Sequence, residues 1–586
     1  MSYPNIPKWK YTQVPNLLGG LNLDTKPDML SDNQAVQLDG VISKAGGIAT
    51  DTGYVPFNQA VVGLPQATYE FLRQNLIVNL MLITTKTVYK HDASFNKWQL
   101  VQGTAATTAT VSAGTGAFSI AVASTAGFVN GDLIGVTLDN GDQLQTTANV
   151  SGSNLVMTNA VPAGRNILIG AIVVRAPALN GNVDNQVNPV TMSGSDWMVF
   201  TNNIDPVQYY DGTHCVTVPN LPGGGNTTCV AVAVYNSALF LLGTTEAGQV
   251  FAQRVRRSNQ TDPTNWTTGT SGFDDLRDTA DKIVAGDILG PYLIVYRDRS
   301  IVRGTFIGTG GLNYFFETMI VGEGAVSAGA IIPTGDNHLF VGHTNVYEYY
   351  GDYTINPVGD NIFYLAFGFT SNMNPQYRQR LFAFYVEELD EVWILYASTT
   401  STTGYCDTVL RYNVGEKFWY SRKFNDVLIG FGYFSKANST TWLDLVGTWT
   451  QQTWLWNSRT SLANTDIIHL CAPLTNRVYA YDYSTALDNG VAIAYTAESK
   501  DFTMGDAKFR FDMIEMFIKG TNILFQYSID SGYSWTTLTT ITQNPQDRVR
   551  LYAQFITNRV RFRWSGSSPD FALEWFGFSY KVESLY

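Results

Sequence analysis

The sequence predicts an all-β protein with a propeller-like body, an inserted small β-domain and a C-terminal β-sandwich. Three observations carry this. Aromatic residues reach 13% while Asp, Glu, Lys and Arg together reach only 15%, a balance that favours packed, pleated surfaces. A short hydrophobic strand, a polar turn and a second strand bearing Tyr, Phe or Val recur along the middle of the chain. Composition also shifts abruptly near 104 and again near 490. At 586 residues the chain exceeds what one core usually serves, so several domains are expected.

Residues 1–60 read as an extended arm, with paired glycines at 19–20 and 46–47 bracketing weakly patterned segments. The propeller body is expected over 61–103 and 177–490. Its first meander is NLIVNLMLITTKTVYKHDASFNKWQL, ending at Leu100. Its repeats begin at 196, 238, 292, 338, 380 and 408, and most of their gaps fit the ~40–50 residues of a four-stranded blade. The last two copies read as halves of one blade. Stacked sandwiches are the competing architecture. Residues 104–176 are rich in Ala, Thr, Ser and Gly, with NG and SG turns at Asn130, Asn140 and Ser151, and predict a small barrel or sandwich inserted at a surface loop. Trp442, Trp449, Trp454 and Trp456 suggest a packing layer before a sugar platform. Residues 491–586 hold cleanly alternating strands and predict the C-terminal sandwich.

The balance of 49 acids against 37 bases gives a net charge of −12, which argues against a basic nucleic-acid face. Cys215 and Cys229 are the one pair close enough in sequence for a local bridge. The N-terminus lacks the apolar core of a signal peptide, and no window reaches the ~18–20 apolar residues of a membrane span. The expected setting is therefore a reducing cytoplasm until assembly. No HExxH, GxSxG or P-loop pattern occurs, and Gly223, Gly224 and Gly225 read as a loop tip. His338 and His343 are oddly spaced for two ligands on one face. Glu387, Glu388, Asp390 and Glu391 read as a solvated hairpin turn, while Asp139, Asn140 and Asp142 lack the order of an EF-hand. The expectation is thus no catalytic residues, no cofactor and no metal.

One motif is specific. Ser528 to Trp535 spell SIDSGYSW, an Asp-box, in which Asp530 should accept turn amides, Gly532 should supply a positive φ and Trp535 should pack beneath. A sialidase would need an arginine triad and further boxes that are not evident. Two basic runs stand out, at Arg254, Arg256 and Arg257 and at Arg559, Arg561 and Arg563. The second run alternates, which puts three arginines on one strand face as a subunit interface would.

LLGGLNLDTKPDML at 17–30, FTNNIDPVQYYDG at 200–212, RRSNQTDPTNW at 256–266 and FQYSIDSGYSW at 525–535 resemble elements of the tail nozzle or tail-hub proteins of short-tailed double-stranded DNA phages, a group that includes packaged-DNA stabilisation proteins. The resemblance implies a late virion structural protein. It implies a homohexameric ring around the DNA exit channel, in contact with adaptor or portal-proximal proteins and with fibres or spikes. DNA would be retained and then released through the channel without sequence-specific binding. It assigns only structural roles: to Gly19, Gly20 and Asn22 in the arm, to Asn202, Asp205, Asn259 and Trp266 in blade turns, and to Asp530, Gly532 and Trp535. The competing function is a host-surface glycan-binding or glycan-cleaving tail protein, which exposed coplanar aromatics beside paired carboxylates would favour.

Overall fold

The computed structural model describes residues 9–44, 46–309, 312–368, 371–436, 465–503 and 507–584. These residues form a nearly all-β molecule with four short helical turns and one single-turn α-helix, Phe363–Ala366.

Five separate four-stranded antiparallel meanders follow one another, at 65–100, 190–217, 228–275, 283–321 and 331–357. A sixth set of four strands, from Phe382–Val386 to Phe418–Leu428, is built the same way but continues into a larger sheet. A seventh comprises Gly430–Lys436, Thr465–Ala472 and Arg477–Asp482, completed by Gly53–Phe57 from near the N-terminus. The leading strand of each set packs on its neighbour's from the second to the sixth, and Gly430–Lys436 packs on Pro65–Leu72. Shared cores join the first set to the second through Phe71, Ile83, Met198 and Phe200, and the sixth to the seventh through Phe384, Trp393, Leu470 and Tyr479. The body is therefore a propeller-like cycle of seven units, and pairing of Tyr54 with Tyr481 latches the N-terminal strand into the last.

The cycle explains the repeat. Second strands such as Tyr292–Arg297 and Glu391–Tyr396 lie beneath sheets on both faces and are buried along nearly their whole length, so they read as continuous apolar runs instead of alternating ones. The repeats beginning at 196, 238, 292 and 338 fall on second strands, whereas those at 380 and 408 fall on the first and third strands of the sixth unit.

The insertion folds on itself. Six strands between Ala106–Thr108 and Ile172–Arg175 form one sheet, around a core drawn only from residues between Ala105 and Val173. Its two ends meet where the Gly103 amide donates to the Arg175 carbonyl at 2.7 Å.

The arm and the C-terminal domain correct the expected boundaries, because the described N-terminal residues are not an arm laid over a scaffold. Lys10–Val14 pairs with Ala572–Ser584, Gln34–Asp39 lies between Phe418–Leu428 and Tyr495–Ser499, and Gly47–Thr50 joins Ala572 and Leu573. Val14, Leu38 and Ile48 share one core with Phe511, Ile514 and Trp564. Residues 10–50 and 495–584 thus build one hydrogen-bonded sheet with the sixth unit. The cysteines are a second correction. Cys215 and Cys229 are buried thiols in different cores, with no bridge between them.

Candidate functional site: an acidic axial cavity

Where the leading strands converge on the axis of the body they enclose a cavity of about 520 Å³. Five of the seven units and the linker before the second line it, with residues from Ala67 to Glu70, Val187 to Pro189, Gly286 and Asp287, Ala328 to Pro333, Ala383 to Glu388 and Phe431 to Tyr433. The linker into the second unit is tied to its neighbours. Gln186 donates to the Leu381 carbonyl at 2.6 Å and accepts from the Gly329 amide, Asp184 pairs with Arg380 at 2.7 Å, and Gln66 donates to the carbonyls of Asn182 and Asn185. The first, fifth and sixth units are therefore tied to one crossing strap.

The walls are aromatic. Phe384 and Phe431 stack at 4.5 Å, Tyr433 stands edge-on to Phe384, Tyr433 donates to the Tyr385 carbonyl, and Tyr69 shares a 2.8 Å hydrogen bond with Thr191. Four carboxylates, Glu70, Asp287, Glu387 and Glu388, line the same space, and its lining includes no Lys, Arg or His. Asp287 is the deepest. Burial raises its carboxyl above the usual range, with His338 opposing, while one of its oxygens accepts the Ile288 amide at 2.7 Å. His338 is held neutral by burial, between Tyr296 Oη at 3.0 Å and the Ile288 carbonyl at 3.1 Å.

The acidic hairpin turn at 387–391 is as expected in leaving Glu387 exposed and Glu388 and Asp390 half-buried, but Glu391 is not solvated. Asp390 adopts φ +52°, which turns the chain. Glu387 and Glu388 face the axis. Glu391 is 3% exposed and accepts from Trp393 Nε1 at 2.9 Å and from the Tyr420 hydroxyl. Glu391 borders a buried ion network. Asp51 accepts from Arg411 at 2.7 Å and Arg422 at 2.6 Å, Arg422 also reaches Asp488, and all four side chains are 0% exposed. Burial alone would raise Asp51, but the two guanidinium groups hold it below the usual carboxylate range.

The Asp-box lies far from this cavity in sequence and none of its residues lines it. Asp530 accepts from Ser528 Oγ at 2.7 Å, from the Ser534 amide at 2.8 Å and from Ser534 Oγ at 2.5 Å, bonds that pull its carboxyl down to about 2. Gly532 has φ +91° and Trp535 packs beneath it. The three arginines of the next strand share a face, and each has a partner within the chain. Arg561 is 7% exposed and pairs with Asp501 at 2.7 Å and Glu498 at 3.6 Å. Arg563 also meets Glu498 and lies 3.7 Å over the Trp535 ring, and Arg559 donates to Ser531. The strip fastens the hairpin to its own sheet. Arg254 is likewise held within the chain by Asp275 at 2.8 Å, between the rings of Phe251 and Phe273.

The remaining assigned turn residues brace backbone. Asn202 accepts the Asp205 amide at 2.8 Å, Asp205 accepts the Asn180 amide at 2.7 Å, and Asn259 accepts the Thr270 amide at 3.0 Å. Asp142 pairs with Lys97 and Asp139 with Asn166, and among the described residues no group of three His, Cys, Asp or Glu is placed to hold a metal ion. The tryptophans from 442 to 456 lie outside the described residues.

No family model matches this sequence, and a search of curated proteins finds no match. Solved structures with some likeness include BBS1N in complex with ARL6DN (10% identity over 54% of this chain and 89% of that one, TM-score 0.27). Others are Hsv2 of Kluyveromyces lactis (11% identity, 61% and 97%, TM-score 0.25) and an exo-β-1,3-galactanase from Phanerochaete chrysosporium (7% identity, 59% and 95%, TM-score 0.22). Likeness at this level carries no argument about function.

Proposed function

We propose that this chain is a structural subunit of a short-tailed phage tail nozzle, assembled as a ring that retains packaged DNA and lets it pass during ejection. The observation that carries the proposal is where the aromatic residues lie. Trp98, Trp393, Trp419 and Trp564 are at most 1% exposed. They pack sheets together, which suits a load-bearing subunit. The interleaving of residues 10–57 with the body and with the C-terminal strands supports the same reading, since tension on either end is shared across strand ladders. The DNA path of this proposal runs between subunits, past surfaces of a chain carrying −12. Like charge keeps a moving duplex from lodging there. Among the described residues no helix is long and apolar enough to cross a membrane.

Native mass spectrometry of the purified chain with its adaptor, followed by electron cryo-microscopy of the particle, tests the proposal. The expected result is a closed ring, six subunits in number, at the distal end of the tail. Separate outward-pointing trimers, or a ring with a continuous positive channel lining, would overturn it.

A further inference from the structure

We infer that the outer face of the C-terminal sheet is a docking surface for a second copy of this chain, which meets it with the acidic, aromatic edge of its fourth and fifth units. Four neighbouring strands form the face: Lys10–Val14, Ala572–Ser584, the first half of Lys508–Ser528 and the end of Thr536–Tyr552. Ile514, Met516, Phe576 and Phe578 point from these strands into the core. The residues between them point the other way, where an antiparallel sheet usually presents polar side chains to water. Here it presents rings. Tyr552, Trp9 and Tyr11 are 74%, 49% and 45% exposed, and Phe517 and Trp575 stack at 6.3 Å on the same face. Gly577 has no side chain to stop Tyr11 from crossing to Glu515, 3.2 Å from its hydroxyl. The cations of the face exceed the carboxylates that hold them, because Arg548 and Arg550 share Glu515 while Arg510 and Lys581 share Glu583. Each cluster therefore keeps a positive charge.

Trp, Tyr and Arg together are the composition of a protein-binding surface. A polyanion fits less well, because each of these cations already shares a carboxylate and the chain as a whole carries −12. The complement lies on the chain itself. The stretch 283–360, which holds the fourth and fifth units, has eight acids and three bases, and one of those bases, Arg297, is buried. At the edge of these units Tyr353 donates to Glu317 at 2.6 Å, and Arg303 joins Glu317 to the Gly351 carbonyl. Phe315, Tyr350 and Tyr353 are exposed there, and Glu348 and Asp352 belong to the same hairpin tip as the two tyrosines. Rings and acids thus meet rings and cations, and the charges attract at about the range of one Debye length. The two surfaces differ, so the contact is head to tail, and repeating it closes a ring when the rotation allows. This contact rests on the ring reading above, which supplies the second copy.

The test is sedimentation of the full chain as salt is raised from about 0.05 M to about 0.5 M. Assembly is expected at low salt and should weaken about tenfold or more at high salt. Reversing the face with Arg510→Glu and Lys581→Glu, or the edge with Glu348→Lys and Asp352→Lys, should leave each protein monomeric by itself. An equimolar mixture of the two should assemble again, since each reversed surface then meets a partner of opposite charge, and a variant that had failed to fold would not be rescued. Tyr552→Ser, which removes an exposed ring and no charge, should also weaken assembly about tenfold. A wild type that stays monomeric, a reversed variant that assembles like the wild type, or folded variants that stay apart when mixed would each overturn the inference. So would binding of a single-stranded oligonucleotide that Arg510→Glu with Lys581→Glu abolishes, which would make the face a nucleic-acid site. Variants that assemble normally while the particle shows a six-subunit ring would sink this contact and leave the ring reading standing. Wild-type chains that join through these surfaces into open filaments would support the contact and sink the ring.

Discussion

The inserted module and the large C-terminal sheet are built on opposite principles. Every strand of the module comes from one stretch of about 70 residues, and its core draws on nothing outside 105–173. The large sheet takes strands from 10–50, 382–428 and 495–584, so neighbours in space stand hundreds of residues apart in sequence. The module closes short loops and rewards each at once, whereas the sheet gains nothing until distant segments have met. The comparison teaches that this molecule has one part able to fold alone and one that exists only when the whole chain is in place.

Asp51 is the sharpest test of the non-local part. It lies between Thr50 and the latch strand, and its partners Arg411 and Arg422 belong to the sixth unit. Asp51→Ala leaves two buried guanidinium groups without their shared anion and should cost about 3–5 kcal/mol of stability, read as a fall in the urea midpoint of the body and C-terminal sheet together. If only one of them unfolded earlier, the two would not be the single block described. Because the folded-state carboxyl is depressed, its contribution is present above the ordinary carboxylate pKa and is lost as pH falls through the folded value.

Asp39, on the strand that joins the sixth unit to the C-terminal strands, titrates the other way. Burial pushes its carboxyl up to about 6, against help from Ser421 and Arg422. The folded state therefore holds a proton that the unfolded chain releases first. Stability from this group is full below about pH 4 and falls as pH rises towards 6, by roughly 1–3 kcal/mol. Asp39→Asn should flatten that part of the stability–pH curve and raise the midpoint at pH 7. An unchanged slope would remove Asp39 as the source.

Excising the module should cost less. Replacing 104–176 by a short Gly-Ser link removes the exposed Lys97–Asp142 pair and the hydrogen bonds that Gln143 and Gln145 make to Leu100 and Trp98, a loss of about 1–2 kcal/mol from the body. The isolated module should show a cooperative unfolding transition of its own. A body that fails to fold without the module would break the contrast drawn above.

What was legible in the sequence divides along the same line. The module announces itself by composition, and the body by runs such as YLIVYR, because a strand covered on both faces is apolar at every position. The pairing of Gly47–Thr50 with Leu573, or of Tyr54 with Tyr481, leaves no local trace, since four or five residues specify a register only through the partner they meet. Glu391 read as solvent-facing because its neighbours are acidic, but its partners Trp393 and Tyr420, the second on another strand, hold it inside. The alternation of Arg559, Arg561 and Arg563 was visible, but Glu498 and Asp501, which engage two of them, sit on a neighbouring segment that no spacing reveals. The cavity is the extreme case, with its lining scattered over five units and a linker.

The smallest expected effect tests whether a local brace matters inside the non-local sheet. Asp530 holds the hairpin tip through Ser528 and Ser534, but the same hairpin is also fixed by Arg563 over Trp535 and by Arg559 on Ser531. Asp530→Ala therefore removes one of several ties, and an exposed one. The Ser534 amide loses its acceptor, so its hydrogen exchange should speed up, while the Gly532 amide, which donates to Ser528 Oγ at 2.8 Å, should respond less and the global midpoint should stay where it is. Lowering the pH of the wild type towards the folded-state value of about 2 should reproduce the loss of the brace, since the depressed carboxyl keeps its charge, and with it the turn, down to that range. If Asp530→Ala instead lowered the global midpoint together with exchange across Lys508–Ser528, the tip would be a nucleus for the sheet instead of an ornament on it, and the division between local and non-local construction would fail at this hairpin.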